Sequence, residues 1–126
     1  MSEMDPSPNR FRELLREDEP SFEEVLACVF DLKPHEVRTY EVLQRHPAST
    51  VEELAAELDR DRSNVNRSLS TLREKGLAER TRRLLDGGGH VYQYTPTPVS
   101  ETRELMHDTL EEWAMYVHAR IDEFGE

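Results

Sequence analysis

Two short amphipathic segments and two β-rich segments lie in immediate succession between residues 50 and 94. Thr50 and Glu53 have the hydroxyl-to-carboxylate spacing of a helix capping box, and Ser49 and Glu52 fit the same spacing one residue earlier. The apolar residues that follow predict a short helix over 51–58. Few folds accommodate a capped short helix, a three-residue turn, a second helix and a hairpin in so little chain. The order is typical of a helix-turn-helix followed by a β-hairpin.

A second helix is predicted over about residues 62–75. Asp61 stands where an N-cap belongs, and Gly76 stands where a left-handed C-terminal cap belongs. Apolar residues recur at i, i+4 and i+7 and predict one buried stripe, consisting of Val65, Leu69 and Leu72.

Short polar and basic side chains occupy the outward face of this second helix. A solvated helix face favours Glu, Lys and Gln, whereas Ser and Asn compete with the helix backbone. Ser, Asn and Arg are also the side chains that meet phosphates and base edges in a major groove. The alternative is that Ser and Asn only decorate the helix N-terminus. The predicted DNA contacts are Arg62, Ser63, Asn64, Asn66, Arg67, Ser70 and Thr71.

A basic β-hairpin is predicted over residues 77–95, with strands over 77–84 and 91–95. Asp86-Gly87-Gly88-Gly89 supplies the positive φ angles of its turn. Arg80 and Arg82 alternate to one face and can contact a phosphate backbone. The glycines precede no Gly-Lys-Ser/Thr and open no helix, so they do not indicate a nucleotide-binding loop. The predicted DNA contacts of the hairpin are Arg80, Arg82, Arg83 and His90.

Two further helices are predicted before this region. Ser21 and Glu24 form a capping box for a helix over 21–32, and Pro34 opens a helix that ends near His46-Pro47. Residues 1–10 have little apolar content and are predicted to be disordered. The apolar residues after them predict a short helical turn ended by Pro20, formed by Phe11, Leu14 and Leu15.

A long amphipathic helix is predicted from Thr97-Pro98 to about Phe124. Its apolar residues recur in steps of three and four, as in a coiled-coil seam. Such a helix would be about 40 Å long, more than a small domain can cover. We therefore predict a homodimer, although the helix could instead pack on its own domain. The predicted interface residues are Met106, Leu110, Trp113, Val117, Ile121 and Phe124.

Three stretches together resemble the winged-helix domain of TrmB-type archaeal transcriptional regulators: Leu32 to Tyr40, Val51 to Ala55, and Asn64 to Leu77. The resemblance covers about residues 30–96 and extends more loosely to MarR- and ArsR-type regulators. It implies a mainly α fold with a small β-hairpin wing. Larger TrmB regulators carry a sugar-binding effector domain, for which a chain ending at residue 126 leaves no room. We therefore expect no small-molecule effector domain.

The predicted organisation has three parts: an N-terminal extension over 1–20, a winged helix-turn-helix over 21–96, and a dimerisation helix over 97–126. The net charge of −11 by itself argues against nucleic acid. Residues 60–83, however, hold eight Arg or Lys against three Asp or Glu. The positive charge is therefore concentrated where a winged helix meets DNA. Acid excess with only two lysines suggests a halophile's cytoplasm, or alternatively a GC-rich genome that favours Arg codons.

Several classes of protein are disfavoured. The chain has no secretory segment and no run of 18 apolar residues, which predicts a cytoplasmic protein without membrane contact. Its five histidines show no zinc-ligand spacing, and we see no nucleophile–base arrangement, so no metal, cofactor or enzyme activity is expected. The alternative is a metal site at the dimer interface that uses His107 or His118. The single cysteine, Cys28, is predicted at the flank of its helix. It is either an inert packing residue or a redox-responsive thiol slowed by Glu24 and Asp31.

These observations predict a dimeric, sequence-specific regulator of transcription bound to double-stranded DNA. One alternative is a protein-interaction winged helix of transcription or chromosome assembly, which would not need a cluster such as Arg67, Arg82 and Arg83. Another is a weakly specific architectural DNA-binding protein.

Overall fold

A computed structural model describes residues 8–16 and 19–125 of the chain. These residues form six helices and one two-stranded antiparallel sheet. The helices are α1 (Pro8–Leu15), α2 (Phe22–Phe30), α3 (Pro34–Arg45), α4 (Val51–Leu58), α5 (Arg62–Glu74) and α6 (Val99–Asp122). The strands are β1 (Ala78–Leu84) and β2 (His90–Pro96). The chain divides into two compact units, one over Lys33–Val99 and one that contains α1, α2 and α6 from Ser100 onward.

The 33–99 unit is built on α3, α4 and α5, which pack pairwise around one small core. Its fully buried apolar side chains are Tyr40, Leu43, Leu54, Val65, Leu69, Leu72 and Leu77. The Oε1 atom of Glu36 accepts the Lys33 N–H at 2.9 Å and so caps α3. The predicted capping box of α4 is confirmed, because the Glu53 N–H donates to Thr50 Oγ1 at 3.1 Å and the Thr50 N–H donates to Glu53 Oε1 at 2.9 Å.

The turn between α4 and α5 is fixed by backbone hydrogen bonds. Asp59 adopts the left-handed conformation at φ 52°, and the Arg60 N–H donates to the Ala55 carbonyl at 3.1 Å. Asp61 occupies the N-cap position as predicted, but its side chain makes no capping hydrogen bond. Its ψ of 141° is lower than the 166° of Thr50, whose side chain does make the capping hydrogen bond.

α5 ends at Glu74, one residue before the predicted end, and Gly76 has the predicted positive φ of 79°. The Leu77 N–H closes this helix end by donating to the Leu72 carbonyl at 2.8 Å. For that reason β1 begins at Ala78 and not, as predicted, at Leu77.

The hairpin is confirmed, with Gly88 and Gly89 at positive φ in its turn. Strand β2 is one residue longer at each end than predicted. In the register of the two strands Arg80 lies opposite Tyr94, and Arg82 lies opposite Tyr92. A connection that sequence reasoning missed joins the hairpin to the helices. Ser49 and Tyr94 exchange two backbone hydrogen bonds, of 2.8 and 3.2 Å, and anchor the base of the hairpin beside α4.

In the other unit, the predicted turn around Phe11, Leu14 and Leu15 is part of the longer α1. This helix already begins at Pro8, so the disorder predicted for residues 1–10 does not hold from Pro8 onward, and residues 1–7 lie outside the described residues. The capping box at Ser21 is confirmed.

α2 ends at Phe30, two residues short of its prediction, because Asp31 turns into the left-handed conformation. Cys28 was predicted at the flank of α2 but is 2% exposed. The burial extends around the whole C-terminal half of this short helix, since all five residues from Leu26 to Phe30 are buried.

α6 is 24 residues long and ends at Asp122. Phe124, predicted to lie in the helix, instead follows it in a turn and is 85% exposed. The predicted apolar stripe divides into two parts, because its residues spread over a broad arc of the helix. Met106, Trp113 and Val117 are half-buried, whereas Leu110 and Ile121 are 39% and 56% exposed. None of the described helices combines the length and apolar character needed to cross a membrane.

Candidate nucleic-acid interface

The helix α5 turns its apolar stripe inward and its short polar residues outward. Val65, Leu69 and Leu72 are fully buried, as predicted. Ser63, Arg67 and Ser70 lie on the opposite side and are exposed. Two hollows flank this exposed ridge, one towards the hairpin and one towards α3.

The hollow towards the hairpin, which we call the wing-side groove, has a volume of about 730 Å³. It lies between the N-terminal ends of α4 and α5 and the inner face of the hairpin. Of the predicted DNA contacts it brings together five: Arg62, Ser63, Asn66, Arg80 and His90. Two carboxylate residues, Glu52 and Asp61, also line it.

An aromatic ring orders the basic residues of the wing-side groove. The guanidinium carbon of Arg80 lies 4.1 Å from the ring centroid of Tyr92, a cation–π contact. His90 meets the same ring edge to face, with centroids 5.2 Å apart. Because Tyr92 holds Arg80 on one side, the guanidinium is oriented before any ligand arrives. Sequence reasoning missed Tyr92, although its spacing of two residues from Tyr94 could have indicated that both face the helices.

Arg62 is partly neutralised by its neighbour. Its Nε lies 2.6 Å from Glu52 Oε2, with side chains 72% and 62% exposed. An exposed pair of this kind contributes about 1 kcal/mol or less to stability. The main consequence of the ion pair is that the Glu52 carboxylate lies in the wing-side groove, where its negative charge repels a phosphate.

The hollow on the other side of α5, which we call the α3-side hollow, has a volume of about 350 Å³. Every residue that lines it is polar or charged: Lys33, His35, Glu36, Arg60, Asn64, Arg67, Ser68 and Thr71. Three of the predicted contacts, Asn64, Arg67 and Thr71, therefore lie on the side away from the hairpin. Arg67 donates a hydrogen bond from its guanidinium to Asn64 Oδ1. Sequence reasoning missed the contributions of Lys33 and Arg60. Lys33 is remote from α5 in the sequence, and Arg60 lies in the turn that precedes α5.

The remaining predicted contacts are exposed but line neither hollow. Ser70 lies on the outward ridge of α5, and Arg82 and Arg83 lie on the outer half of β1. The side chains of Leu84 and Leu85 near the hairpin tip are also exposed. Within the described part of the chain, no group of three or more His, Cys, Asp or Glu residues could hold a metal ion.

The chain is similar in sequence to known proteins. A model of the family described as "Sugar-specific transcriptional regulator TrmB" matches residues 26–100. The uncharacterized protein MJ1503 of Methanocaldococcus jannaschii is 31% identical over 103 residues, which are 82% of this chain and 78% of that protein.

Two solved structures show the same fold. A possible transcriptional regulator from Methanosarcina mazei Go1 has a TM-score of 0.72 at 26% identity, over 82% of this chain and 88% of that chain. Streptococcus pneumoniae FabT, solved in complex with DNA, has a TM-score of 0.50 at 22% identity, over 95% of this chain and 85% of that chain. Solved MarR-family regulators are also among the matches. The predicted fold class, mainly helical with a hairpin wing, is confirmed.

Proposed function

Because the chain belongs to the TrmB family of transcriptional regulators, we propose that it binds double-stranded DNA as a dimer and recognises specific sequences. In this proposal α5 enters the major groove, and the hairpin contacts the adjoining backbone or the minor groove. The matched family is described as transcriptional regulators, and the solved neighbour from Methanosarcina mazei as a possible transcriptional regulator.

The observation that carries the proposal is the exposed ridge of α5. Ser63, Arg67 and Ser70 are exposed there, while the same helix buries its apolar residues completely. Short polar side chains weaken an exposed helix, so a purely solvated face would not favour them. Arg can pair with guanine, and Ser can hydrogen-bond to bases or phosphates. Sequence-specific readout is the function that uses this combination.

The N-terminal end of α5 supports the same mode. Its first turn, which follows the N-cap residue Asp61, contains no acidic residue, and the Asp61 side chain makes no capping hydrogen bond. The first amides and the positive end of the helix dipole can therefore receive a phosphate. α4 differs, because Thr50 and Glu53 close its N-terminus with a capping box. FabT, which has the same fold, was solved in complex with DNA, so the fold is compatible with DNA binding.

The test is selection of DNA fragments from the source genome by the full-length protein, followed by footprinting of the selected fragments. We expect a protected site with two half-sites about one helical turn apart, or a multiple of it. Uniform coverage without a protected site would favour the architectural alternative. Failure of the protein to retain any fragment at moderate salt would favour the protein-interaction alternative and overturn the proposal.

The proposed dimer places the exposed edge of α6 in the interface. Leu110 and Ile121 belong to the predicted stripe and are exposed, whereas Trp113 is half-buried and its replacement would disturb the protomer itself. Leu110→Glu and Ile121→Glu should therefore yield monomers in sedimentation experiments. Met115→Glu is the matched control, because Met115 is 71% exposed on another face of α6. If only the control dissociates, the interface lies on that other face.

Regulation of DNA binding by oxidation of Cys28 is a separate part of the proposal, and it requires that an oxidant reach a buried sulfur atom. The side chain is 2% exposed, so an oxidant reaches the sulfur only after α2 opens. We expect slow oxidation that alters DNA binding in the parent protein and not in Cys28→Ser. Identical responses of the two proteins to peroxide would assign Cys28 to packing alone.

The charge balance supports a working environment of high salt. The net charge is −11, while residues 60–83 remain basic. We propose a halophilic host, and expect the free energy of unfolding to increase as KCl is raised towards molar concentrations. A decrease over that range would favour the alternative of codon usage.

A further inference from the structure

The α3-side hollow contains basic groups that no carboxylate neutralises. Among the residues that the structure describes, Lys33, Arg60 and Arg67 have no acidic side chain within ion-pair distance. Arg62, on the other side of α5, is paired with Glu52. Three unneutralised cations around one concave surface create a strong local attraction for an anion.

Two of the residues that line this hollow each have a buried polar atom without a partner. The Nη1 atom of Arg60 and the Oγ atom of Ser68 are inaccessible to solvent and make no hydrogen bond with any described residue. Ser68 as a whole is 1% exposed. A buried polar group without a partner is rare and destabilising. A guanidinium N–H can only donate, so the missing partner of Arg60 is an acceptor.

The backbone holds these donors in place before a ligand binds. Arg60 follows a helix end that is closed by the hydrogen bond from its own N–H to Ala55. Asn64, Arg67, Ser68 and Thr71 are spaced i, i+3, i+4 and i+7, so they form one polar stripe on the rigid α5. A binding site on preformed elements loses little conformational entropy when it is filled.

One carboxylate, Glu36, also lines the hollow. It is 7% exposed, and its Oε1 already accepts the Lys33 N–H. Its Oε2 lies 4.0 Å from His35 Nε2. The hollow therefore contains three cationic side chains, one histidine and one carboxylate that already accepts the Lys33 N–H. This balance favours an anion with several acceptor oxygens over a cation or an apolar ligand.

We propose that the α3-side hollow is an oxyanion site that takes a phosphate group between Lys33, Arg60 and Ser68. Phosphate offers several strong acceptors, and Arg is well suited to it by geometry. The phosphate has two potential sources: the DNA backbone beside α5, or a free phosphorylated small molecule. The first source rests on the proposed DNA-binding function, whereas the second does not.

The first experiment uses the isotope-labelled full-length chain without DNA. Sodium phosphate is titrated against sodium chloride at constant ionic strength, and the backbone amides of Ser68 and Thr71 are followed by NMR. We expect phosphate-specific shifts at both amides. Lys33→Gln and Arg60→Gln should each weaken the phosphate response about tenfold, as expected for loss of one charge-assisted hydrogen bond.

Arg45→Gln is the matched control, because Arg45 is exposed on the last turn of α3. It lies about 14 Å along the helix from Glu36, the nearest α3 residue that lines the hollow. The control removes the same net charge from the same unit, and its phosphate response should equal that of the parent. The use of two variants keeps the test valid if one of them does not fold.

The second experiment identifies the source of the phosphate. Affinity for a selected DNA fragment is measured against salt concentration for the same variants. If the DNA backbone fills the hollow, the logarithmic salt slope of Lys33→Gln and Arg60→Gln should fall by about 0.9 each. Unchanged slopes with a lost phosphate response would assign the hollow to a free phosphorylated ligand.

Absence of a phosphate-specific shift together with unchanged salt slopes would overturn the proposal. So would equal weakening by Arg45→Gln, because the effect would then be one of net charge. If the parent protein binds no DNA, the function proposed above fails, but the phosphate titration still decides whether the site exists.

Discussion

The two hollows beside α5 differ in size, charge and composition. The wing-side groove is the larger, at about 730 Å³ against about 350 Å³. Its cations Arg62 and Arg80 stand with two carboxylates, Glu52 and Asp61. The α3-side hollow holds three cations against the single carboxylate of Glu36. Tyrosine rings line the first hollow and not the second, and Tyr92 there orients Arg80.

The two hollows suit two different tasks, although their basic residues lie mostly in the same segment, residues 60–83. The wing-side groove has a nearly balanced charge and preoriented side chains, which suit the positioning of a hairpin against a groove of DNA. The α3-side hollow has excess charge and unpartnered donors, which suit the capture of a phosphate. Positive charge in the sequence thus does not predict which side of the helix attracts phosphate more strongly.

The largest effect on DNA binding is expected for Arg67→Ala, because Arg67 lies on the exposed ridge and also lines the α3-side hollow. If its guanidinium pairs with a guanine, the loss should be about 1–3 kcal/mol, roughly 5- to 150-fold in affinity, with relaxed preference at one position. Fluorescence anisotropy on the selected site and on single-base variants of that site measures both effects.

Arg45→Ala serves as control for Arg67→Ala and should leave the affinity as in the parent. An Arg67→Ala protein that loses affinity equally for all sequences would place Arg67 on the backbone. It would then belong functionally to the phosphate site and not to base readout.

A smaller effect is expected on the wing side. Arg80→Ala should remove about one phosphate contact and lower the logarithmic salt slope by about 0.9 without changing sequence preference. Tyr92→Leu keeps Arg80 but removes the cation–π contact, which is worth about 0.5–1 kcal/mol at an exposed site. Its affinity should therefore fall less than that of Arg80→Ala. A larger loss for Tyr92→Leu would mean that the ring itself contacts DNA.

The sequence predicted the elements of this surface far better than their arrangement. Helix ends depend on neighbouring residues, so the capping boxes at Ser21 and Thr50 and the left-handed Gly76 could be recognised from local spacing. Asp61 was the exception, because residue type alone does not determine the ψ angle that aims a capping side chain. The Ser49–Tyr94 bridge joins residues 45 positions apart and left no local pattern.

The α3-side hollow could not be predicted for the same reason. It combines Lys33, the turn residue Arg60 and one stripe of α5, which meet only after α3 packs on α5. Ser68 was assigned neither to the apolar stripe of α5 nor to its predicted DNA-contacting face. It is a polar residue that the fold nevertheless buries completely. Periodicity identifies the apolar face of a helix but does not identify a polar residue that packing encloses.

Removal of the Glu52 carboxylate from the wing-side groove should reduce the difference in net charge between the two hollows. Glu52→Gln releases Arg62 from its 2.6 Å contact and makes the groove net positive. Because screening weakens exposed charges, we expect DNA affinity to increase only about two- to fivefold at low salt. Glu57→Gln is the control, since Glu57 is exposed on the same helix and lines neither hollow. Equal gains in both variants would indicate a general charge effect.

The smallest effect is expected for Ser68→Ala, measured as the free energy of unfolding in urea at fixed protein concentration. The Ser68 hydroxyl is buried without a partner, so its removal should stabilise the phosphate-free protein by about 1 kcal/mol. Ser70→Ala, exposed on the same helix, corrects for the helix propensity of alanine. Saturating phosphate should stabilise the parent more than Ser68→Ala, because a ligand that binds more tightly stabilises the folded state more. The difference in the free energy of unfolding between the two proteins should therefore narrow or reverse. A difference that phosphate leaves unchanged would mean that the hydroxyl takes no part in binding, and the contrast between the two hollows would then rest on the charges of Lys33, Arg60 and Arg67 alone.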